Sequence, residues 1–368
     1  MGNLEKSQSK KILVIRLSSL GDVILSTAGL NVLPQTSKVD WLVSAEFAGL
    51  LNGHPKINRV WSFDRRKSLF SDWIRLGISL RSEGYGQVID LHRNLRTRIL
   101  KWILIGTPWV QIAKPRWKRW GLFLFKNHWP NPLHPTRWIV EFNRVLLLGF
   151  QDSYKAADLN QSVSTDLMHL LLPNVKGCGA DHPVSAVRQS QGKVRVCVMP
   201  DSAWEGKCWP VEKFCNLFES LPEVCPVVLG TRRDQRSLQL LELLQLRGVE
   251  HEAALGLPWE QVAQCISRSR FLIGNDTGLT HLAESLGIPV IVLFGPTSPS
   301  LGFSPWREQS RIVEANLGCR PCSSDGRGCY WVGDRRYQCM KELSVEAVRG
   351  ACLSLLQSVT DDQLGDQG

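Results

Sequence analysis

Three stretches of the chain combine small, hydroxylated and charged residues at spacings that suit the handling of an anion and a proton. In the first, Arg16-Leu17-Ser18-Ser19-Leu20-Gly21-Asp22-Val23, Ser19 and Gly21 allow a hydroxyl and backbone amides to approach a bound group closely. Asp22 is the only carboxylate besides Glu5 in the first 39 residues. A carboxylate facing a crevice can take a proton from a hydroxyl nucleophile; it can equally cap a helix and favour its dipole. The second, Pro200-Asp201-Ser202-Ala203-Trp204-Glu205-Gly206-Lys207-Cys208-Trp209-Pro210, sets a lone Lys207 among small polar residues. Such a lysine is a partner for phosphate or a solvated surface cation, and the spacing is not that of a Walker loop. In the third, Gly274-Asn275-Asp276-Thr277-Gly278-Leu279-Thr280-His281-Leu282-Ala283, amides and a hydroxyl at Asp276, Thr277 and Gly278 suit a diphosphate. His281 falls one turn further on, on the face of Thr277, and taken alone it also reads as a core histidine bonded to a carbonyl. Phe294-Gly295-Pro296-Thr297-Ser298-Pro299 adds a rigid turn.

Each stretch must be held by a strand before it and a helix after it. Strands are expected at residues 11–15, 39–43, 60–63 and 87–91, then at 194–199, 226–229, 270–273 and 289–294. A helix opens near residue 20, and others lie near 211–220, 235–246, 259–267 and 280–286. Such alternation predicts α/β domains built on parallel sheets covered on both faces, with ligands at the strand ends. At 368 residues the chain suits two domains. A Ser-, Gly-, Pro- and Gln-rich stretch over 151–192 marks the break. The division read from this is 10–175, a linker at 176–192, a second domain at 193–345, and a C-terminal helix with an acidic tail at 346–368. No Gly-x-Gly-x-x-Gly follows the strands at 11–15 or 194–199, which disfavours a dinucleotide dehydrogenase.

The chain carries 44 Lys+Arg against 34 Asp+Glu, a net charge of +10 that favours anionic partners. Residues 65–145 concentrate it, with sixteen basic and four acidic residues, and eight of the fourteen tryptophans lie between Trp61 and Trp138. There Arg93, Arg96 and Arg98 can pair with phosphate or carboxylate by forked hydrogen bonds. Trp102, Trp109, Trp117 and Trp120 can rest at the headgroup level of an anionic leaflet, or anchor in a core beneath a solvated basic face. Basic plus aromatic also suits single-stranded nucleic acid, but no RNA- or DNA-binding signature is present, so no nucleic-acid partner is expected. The apolar run from Ile12 to Leu33 is broken by Arg16 and Asp22 and does not read as a membrane span, nor does the N-terminus read as a secretory signal. With an odd eleven cysteines, the reading is a cytoplasmic chain in a reducing compartment, resting on a membrane surface. Cys319, Cys322, Cys329 and Cys339, spaced C-x2-C-x6-C-x9-C, could close a tetrahedral structural metal site or stay as thiols or a local disulfide. Cys197, Cys215, Cys225 and Cys265 read as small buried hydrophobes.

The runs IRLSSLGDVILST, GKCWP and LIGNDTGLTHLAESLGIPVIVLFGPTSP, with the Cys-rich segment after them, resemble the heptosyltransferases of bacterial lipopolysaccharide synthesis, glycosyltransferase family nine, over roughly residues 10–350. The resemblance implies a GT-B fold, two Rossmann-like domains facing a central cleft. It implies transfer of heptose from ADP-heptose to the lipopolysaccharide inner core with inversion. Asp22 matches the family's general base and Lys207 a donor-phosphate lysine. Asp276, Thr277 and Gly278 match the donor diphosphate and sugar loop, and His281 its histidine. Ser202 falls where relatives often have a hydroxyl near the phosphates, and Asp234 where they carry a longer Glu on the ribose. Ser19, Gly21, Arg93, Arg96 and Arg98 would serve the acceptor, a phosphorylated lipid-linked oligosaccharide. No cofactor or metal is required, because a lysine and helix N-termini can neutralise the leaving ADP. A GT-B transferase with another sugar or cell-envelope acceptor, and a sugar- or lipid-binding protein that kept the fold, are the alternatives.

Overall fold

Short runs of Val, Ile and Leu become strands buried on both faces, and the chain lays them into two separate parallel sheets. The computed structural model describes residues 11–30, 33, 38–67, 69–114, 116–126, 137–149 and 192–357. The expected linker at 176–192, save its last residue, and the acidic tail after 357 lie outside the described residues.

The first unit runs β1 (Ile12–Ile15), α1 (Leu20–Thr27), β2 (Val39–Ser44), α2 (Ala48–Leu51), β3 (Ile57–Phe63), α3 (Phe70–Ser82), β4 (Gln87–Asp90), α4 (Leu95–Ile103) and β5 (Trp109–Gln111). Its sheet has the order β3-β2-β1-β4-β5. Helix α5 (Arg116–Phe125) groups with the second unit, although it falls inside the 10–175 span read from the sequence. Lys126, just past it, donates to the Pro321 carbonyl at 2.9 Å. Helix α6 (Arg137–Gly149) returns to the first unit from Trp138 onward. Leu13, Ile15 and Leu17 pack with Phe63, Trp73 and Leu100 in one core, where Phe63 and Trp73 meet edge to face at 4.7 Å.

The second unit runs β6 (Val194–Met199), α7 (Val211–Glu219), β7 (Val224–Gly230), α8 (Gln235–Leu246), β8 (Glu252–Leu255), α9 (Trp259–Ser267), β9 (Leu272–Asn275), α10 (Gly278–Ser285), β10 (Val290–Phe294), β11 (Arg311–Glu314), α11 (Gln338–Glu342) and α12 (Val345–Gln357). Its six strands are ordered β11-β10-β9-β6-β7-β8. The C-terminal helix α12 buries Val348, Cys352 and Leu355 in the same core as Trp209, Phe214 and Ile273.

Both sheets are doubly wound. The strand order reverses between β1 and β4 in the first, where Ile15 pairs with Asp90, and between β6 and β9 in the second, where Met199 pairs with Gly274. At each reversal two loops leave the sheet side by side at its carboxyl edge, which is where open α/β sheets bind ligands. The first and third chemistry-bearing stretches leave at those points, and the second faces the third.

Candidate active site

In the first unit the chain leaves β1 with Arg16 buried and then starts α1 at Ser19. Asp22 is the third residue of that helix. Its Oδ2 accepts from the Ser19 amide at 3.1 Å and the Ser19 hydroxyl at 2.9 Å, and lies 2.5 Å from Arg16 Nη2. The helix cap foreseen for Asp22 is therefore present, on one oxygen. Oδ1 accepts no hydrogen bond from the described residues. Burial alone would raise the Asp22 carboxyl, but the Arg16 cation and the Ser19 donors outweigh it and hold it below the ordinary range. Arg16 is in turn fixed by the Leu91 carbonyl after β4 and lies over the Phe142 ring at 5.2 Å. Arg65, from the loop after β3, donates to Ser18 Oγ at 3.0 Å. His92, on the loop after β4, is pushed down to about 3 by burial and by the Arg16 cation, so its imidazole is neutral.

In the second unit the loop after β6 brings Lys207 to the loop after β9. Lys207 Nζ donates to Asp276 Oδ2 at 2.7 Å and to the Asp276 carbonyl at 3.1 Å, leaving one N–H for a ligand. Thr297, after β10, donates to the same Oδ2 at 2.9 Å. Burial would raise Asp276, but Lys207, Thr297 and His281 together hold it below the ordinary carboxylate value. Thr277 is the N-cap of α10 and Gly278 its first residue. The Thr277 hydroxyl is buried without a hydrogen-bond partner among the described residues. An orphaned hydroxyl beside free helix amides and a lysine is a cradle for an anionic oxygen. His281 is buried within α10 and stacks on Trp306, with ring centroids 6.1 Å apart.

Asn275 stitches the two loops together: its side chain accepts from the Trp209 amide at 3.0 Å and donates to the Pro200 carbonyl at 2.9 Å. The Cys-rich segment covers them. Arg320 is buried with its guanidinium on the carbonyls of Gly295 at 2.5 Å, Thr297 at 3.1 Å and Ala315 at 2.9 Å. A Cβ on Gly206 would lie 2.5 Å from the Gly326 carbonyl oxygen and 2.5 Å from the Tyr337 ring. Only glycine fits beside Lys207 there.

The structure thus gathers Lys207, Asp276, Thr277, Gly278 and His281. Ser202 lies on the same loop; its amide donates to Asp201 at 2.8 Å. Asp234 stands at the N-cap position of α8 after β7, with its carboxylate turned back to accept from the Thr231 amide at 2.7 Å and from the Thr231 hydroxyl rather than from the helix amides. Ser19 and Gly21 sit with Asp22. Of the three arginines expected beside them, Arg93 is turned to the Ile112 carbonyl at 3.0 Å, Arg96 lies over the Phe63 ring at 6.0 Å, and Arg98 is exposed. None of the three bonds to the Asp22 loop; Arg16 and Arg65 do. Arg16 was legible as a charge inside an apolar run, but Arg65 gave no signal beyond membership of a basic region. Cys319, Cys322, Cys329 and Cys339 are free thiols, and among the described residues no three His, Cys, Asp or Glu are grouped to hold a metal ion. The C-x2-C spacing leads here into a cis Arg320-Pro321 turn rather than a tetrahedral set.

The pattern of glycosyltransferase family 9 (heptosyltransferase) matches residues 73–329. Lipopolysaccharide heptosyltransferase 1 of Campylobacter coli is 25% identical over 302 residues, 78% of this chain and 84% of that protein. Lipopolysaccharide heptosyltransferase 3 of Escherichia coli K12 is 26% identical over 311 residues, 78% of this chain and 83% of that protein. Among solved structures, the glycosyl transferase family 9 protein of Veillonella parvula superposes with a TM-score of 0.70 at 22% identity, covering 95% of this chain and 98% of its own. The E. coli heptosyltransferase WaaC with ADP does so at 0.65 and 18% identity, covering 94% and 99%. These likenesses confirm the GT-B class of fold.

Proposed function

The chain belongs to glycosyltransferase family 9, and from that premise we propose that it moves heptose from ADP-heptose to the inner core of lipopolysaccharide, inverting the anomeric centre. Lys207 and the amides of Thr277 and Gly278 bind the donor diphosphate and neutralise the charge that grows on departing ADP. Asp276 orients Lys207 and, with His281, lines the donor sugar's place. Ser202 lies near the phosphates. Asp234 stands at the strand end where a ribose is read in doubly wound sheets. Asp22 takes the proton from the acceptor hydroxyl as it attacks opposite the leaving group. Ser19, Gly21, Arg16 and Arg65 receive the acceptor, with Arg93, Arg96 and Arg98 on the surface beyond.

The observation that carries this reading is the Lys207–Asp276 pair beside the unpartnered Thr277 hydroxyl at the switch point of the second sheet. The domain limits 10–175 and 193–345 serve acceptor and donor respectively. The acceptor is lipid-linked, and the chain works in the cytoplasm against the inner membrane. In support, α4 and the turn after it expose Leu95, Trp102 and Ile105 among basic residues. Among the described residues no helix is long and apolar enough to cross a membrane. The experiment is mass spectrometry of the product formed from ADP-heptose and a panel of truncated core acceptors. A preference for UDP- or GDP-sugars over ADP-heptose overturns the donor assignment, and sugar binding without transfer overturns the enzyme.

A further inference from the structure

Arg16 is committed on three sides. Nη1 meets the Leu91 carbonyl, Nη2 meets Asp22 Oδ2 at 2.5 Å, and the planar group rests over Phe142. Its Nε is buried and has no hydrogen-bond partner among the described residues, and the residue is only 9% exposed. A buried guanidinium N–H without an acceptor is costly and uncommon. Around it the loops bring cations: Arg65 from the loop after β3 and Lys114 beyond β5 both act on His92, as do Arg16 and Asp22. His92 itself is neutral, and Asp90 is occupied by the amides of His92 at 3.0 Å and Arg93 at 2.8 Å and by Gln111 at 3.0 Å. Asp22 is the carboxylate that meets Arg16, and Arg65, held at Ser18 on the same loop, adds a second cation beside it.

We propose that Arg16 is a counter-ion shared between Asp22 and an anionic group of the acceptor, so that Asp22 becomes a strong base only when that group is bound. This rests on the reading of Asp22 as the proton acceptor. An oxyanion arriving at Arg16 takes part of the guanidinium's charge and adds its own negative charge beside Asp22. Both effects strengthen the carboxylate's hold on a proton, since an opposite charge within 4–6 Å holds a carboxylate down by roughly 1–3 pH units. Without an acceptor, Asp22 is a spent base locked to Arg16. With one, its free Oδ1 accepts the hydroxyl proton. Arg16 acts here through Asp22 and is a positioning residue, and the acceptor class it selects is a hydroxyl compound that bears a carboxylate or a phosphate.

The test is the pH dependence of transfer by the full-length enzyme at saturating ADP-heptose. With donor saturating, kcat/KM for the acceptor reports the enzyme before the acceptor binds, and kcat the complex. The acceptor's own titration is measured separately by NMR and removed. For an intact acceptor the acid limb of kcat is expected about one pH unit or more above that of kcat/KM. Acceptors with the carboxylate esterified, the phosphate removed, or both, show which group is responsible, and the doubly stripped one brings the limbs together. Arg16→Gln raises the kcat/KM limb and merges the two; Arg16→Lys keeps them apart and serves if Arg16→Gln does not fold. Coincident limbs for the intact acceptor, or a separation that survives removal of both anions, overturn the proposal. Full turnover in Asp22→Asn would instead remove Asp22 as the base, whatever the limbs do.

Discussion

Lys207 Nζ sits 2.7 Å from Asp276 Oδ2, joining the loop after β6 to the loop after β9 across 69 positions of sequence. The pair is mostly buried, with 14% and 12% of the two side chains exposed. Removing the lysine would therefore strip the proposed ligand for the donor diphosphate and also strand a carboxylate. Lys207→Ala is expected to weaken ADP by about 10- to 100-fold, the 1.5–3 kcal/mol of a charged hydrogen bond, and to lower Tm. Adding Asp276→Asn recovers the Tm but not the affinity. Calorimetric ADP titration and thermal melts of the single and double variants separate the two effects, and recovery of ADP affinity in the double variant would take Lys207 off the diphosphate.

Asp22→Asn keeps an acceptor oxygen for the Ser19 amide but cannot take a proton. Transfer should fall by roughly 10²- to 10⁴-fold while ADP binding stays within twofold or so of wild type, since Asp22 belongs to the other unit. Product formation followed by mass spectrometry, with ADP calorimetry alongside, checks both halves.

Gly206→Ala should force the Gly326–Tyr337 cover away from the Lys207 loop, because a backbone oxygen 2.5 Å from the new carbon must move. Overpacking of this kind costs about 1–3 kcal/mol, and ADP affinity is expected to drop about tenfold or more. Wild-type ADP affinity in this variant would show that the cover does not shape the donor loop.

Stability should depend on pH in two opposite ways. Asp22 and Asp276 are held below their ordinary value of 3.8, so their stabilisation is present above that value and is lost as the pH falls through their folded values. Glu284 runs the other way. Burial pushes it from 4.5 up to about 7, against the amides of Trp306 and Arg307 and the Ser310 hydroxyl that it accepts from. Its contribution is complete below 4.5 and disappears as the pH rises through about 7, a loss of about 3 kcal/mol. His54 and His92, pushed down by burial to about 4 and about 3, gain stability as the pH rises towards 6.5, so the Glu284 loss is read as a difference: between pH 5 and 8 the Tm of Glu284→Gln should climb relative to that of wild type, and parallel curves contradict it.

Leu95 and Trp102 stand seven residues apart on α4 with 70% and 78% of their surface exposed, so they share one face. Binding to phosphatidylglycerol vesicles is expected to weaken in Trp102→Glu and to fall with added salt, as an anionic surface attracting Arg98 and Lys101 requires. Flotation against vesicles of phosphatidylcholine alone provides the comparison; equal binding of wild type and variant to both would separate this face from the membrane.

The sequence was most informative where physics left little choice. Central strands such as Ile12–Ile15 and Val290–Phe294 are apolar throughout because both faces are covered. By contrast β5, β8 and β11 escaped notice. Each is an edge strand, three or four residues long and only partly buried, and carries polar residues such as Glu252, Arg311 and Glu314. The loops around Asp22 and Asp276 were legible as chemistry because small residues and charges stand between a strand and a helix. The pairing of Arg16 with Asp22 and of Arg65 with Ser18 was not, since sequence alone does not show that the chain's path after β1 and β3 brings these side chains together. The cover over Gly206 was also invisible, since it depends on Tyr337 and Gly326 arriving from more than a hundred residues away.

Asp22 spends one oxygen on the start of α1 and on Arg16, and that mooring fixes the direction in which the other can work. A tethered carboxylate of this sort cannot swing to follow whichever alcohol comes near. With Asp22 as the proposed base, regioselectivity among the several hydroxyls of a sugar would be written in how the acceptor is seated, and a change in that seat, rather than in the aspartate, would redirect the glycosidic bond to a neighbouring carbon.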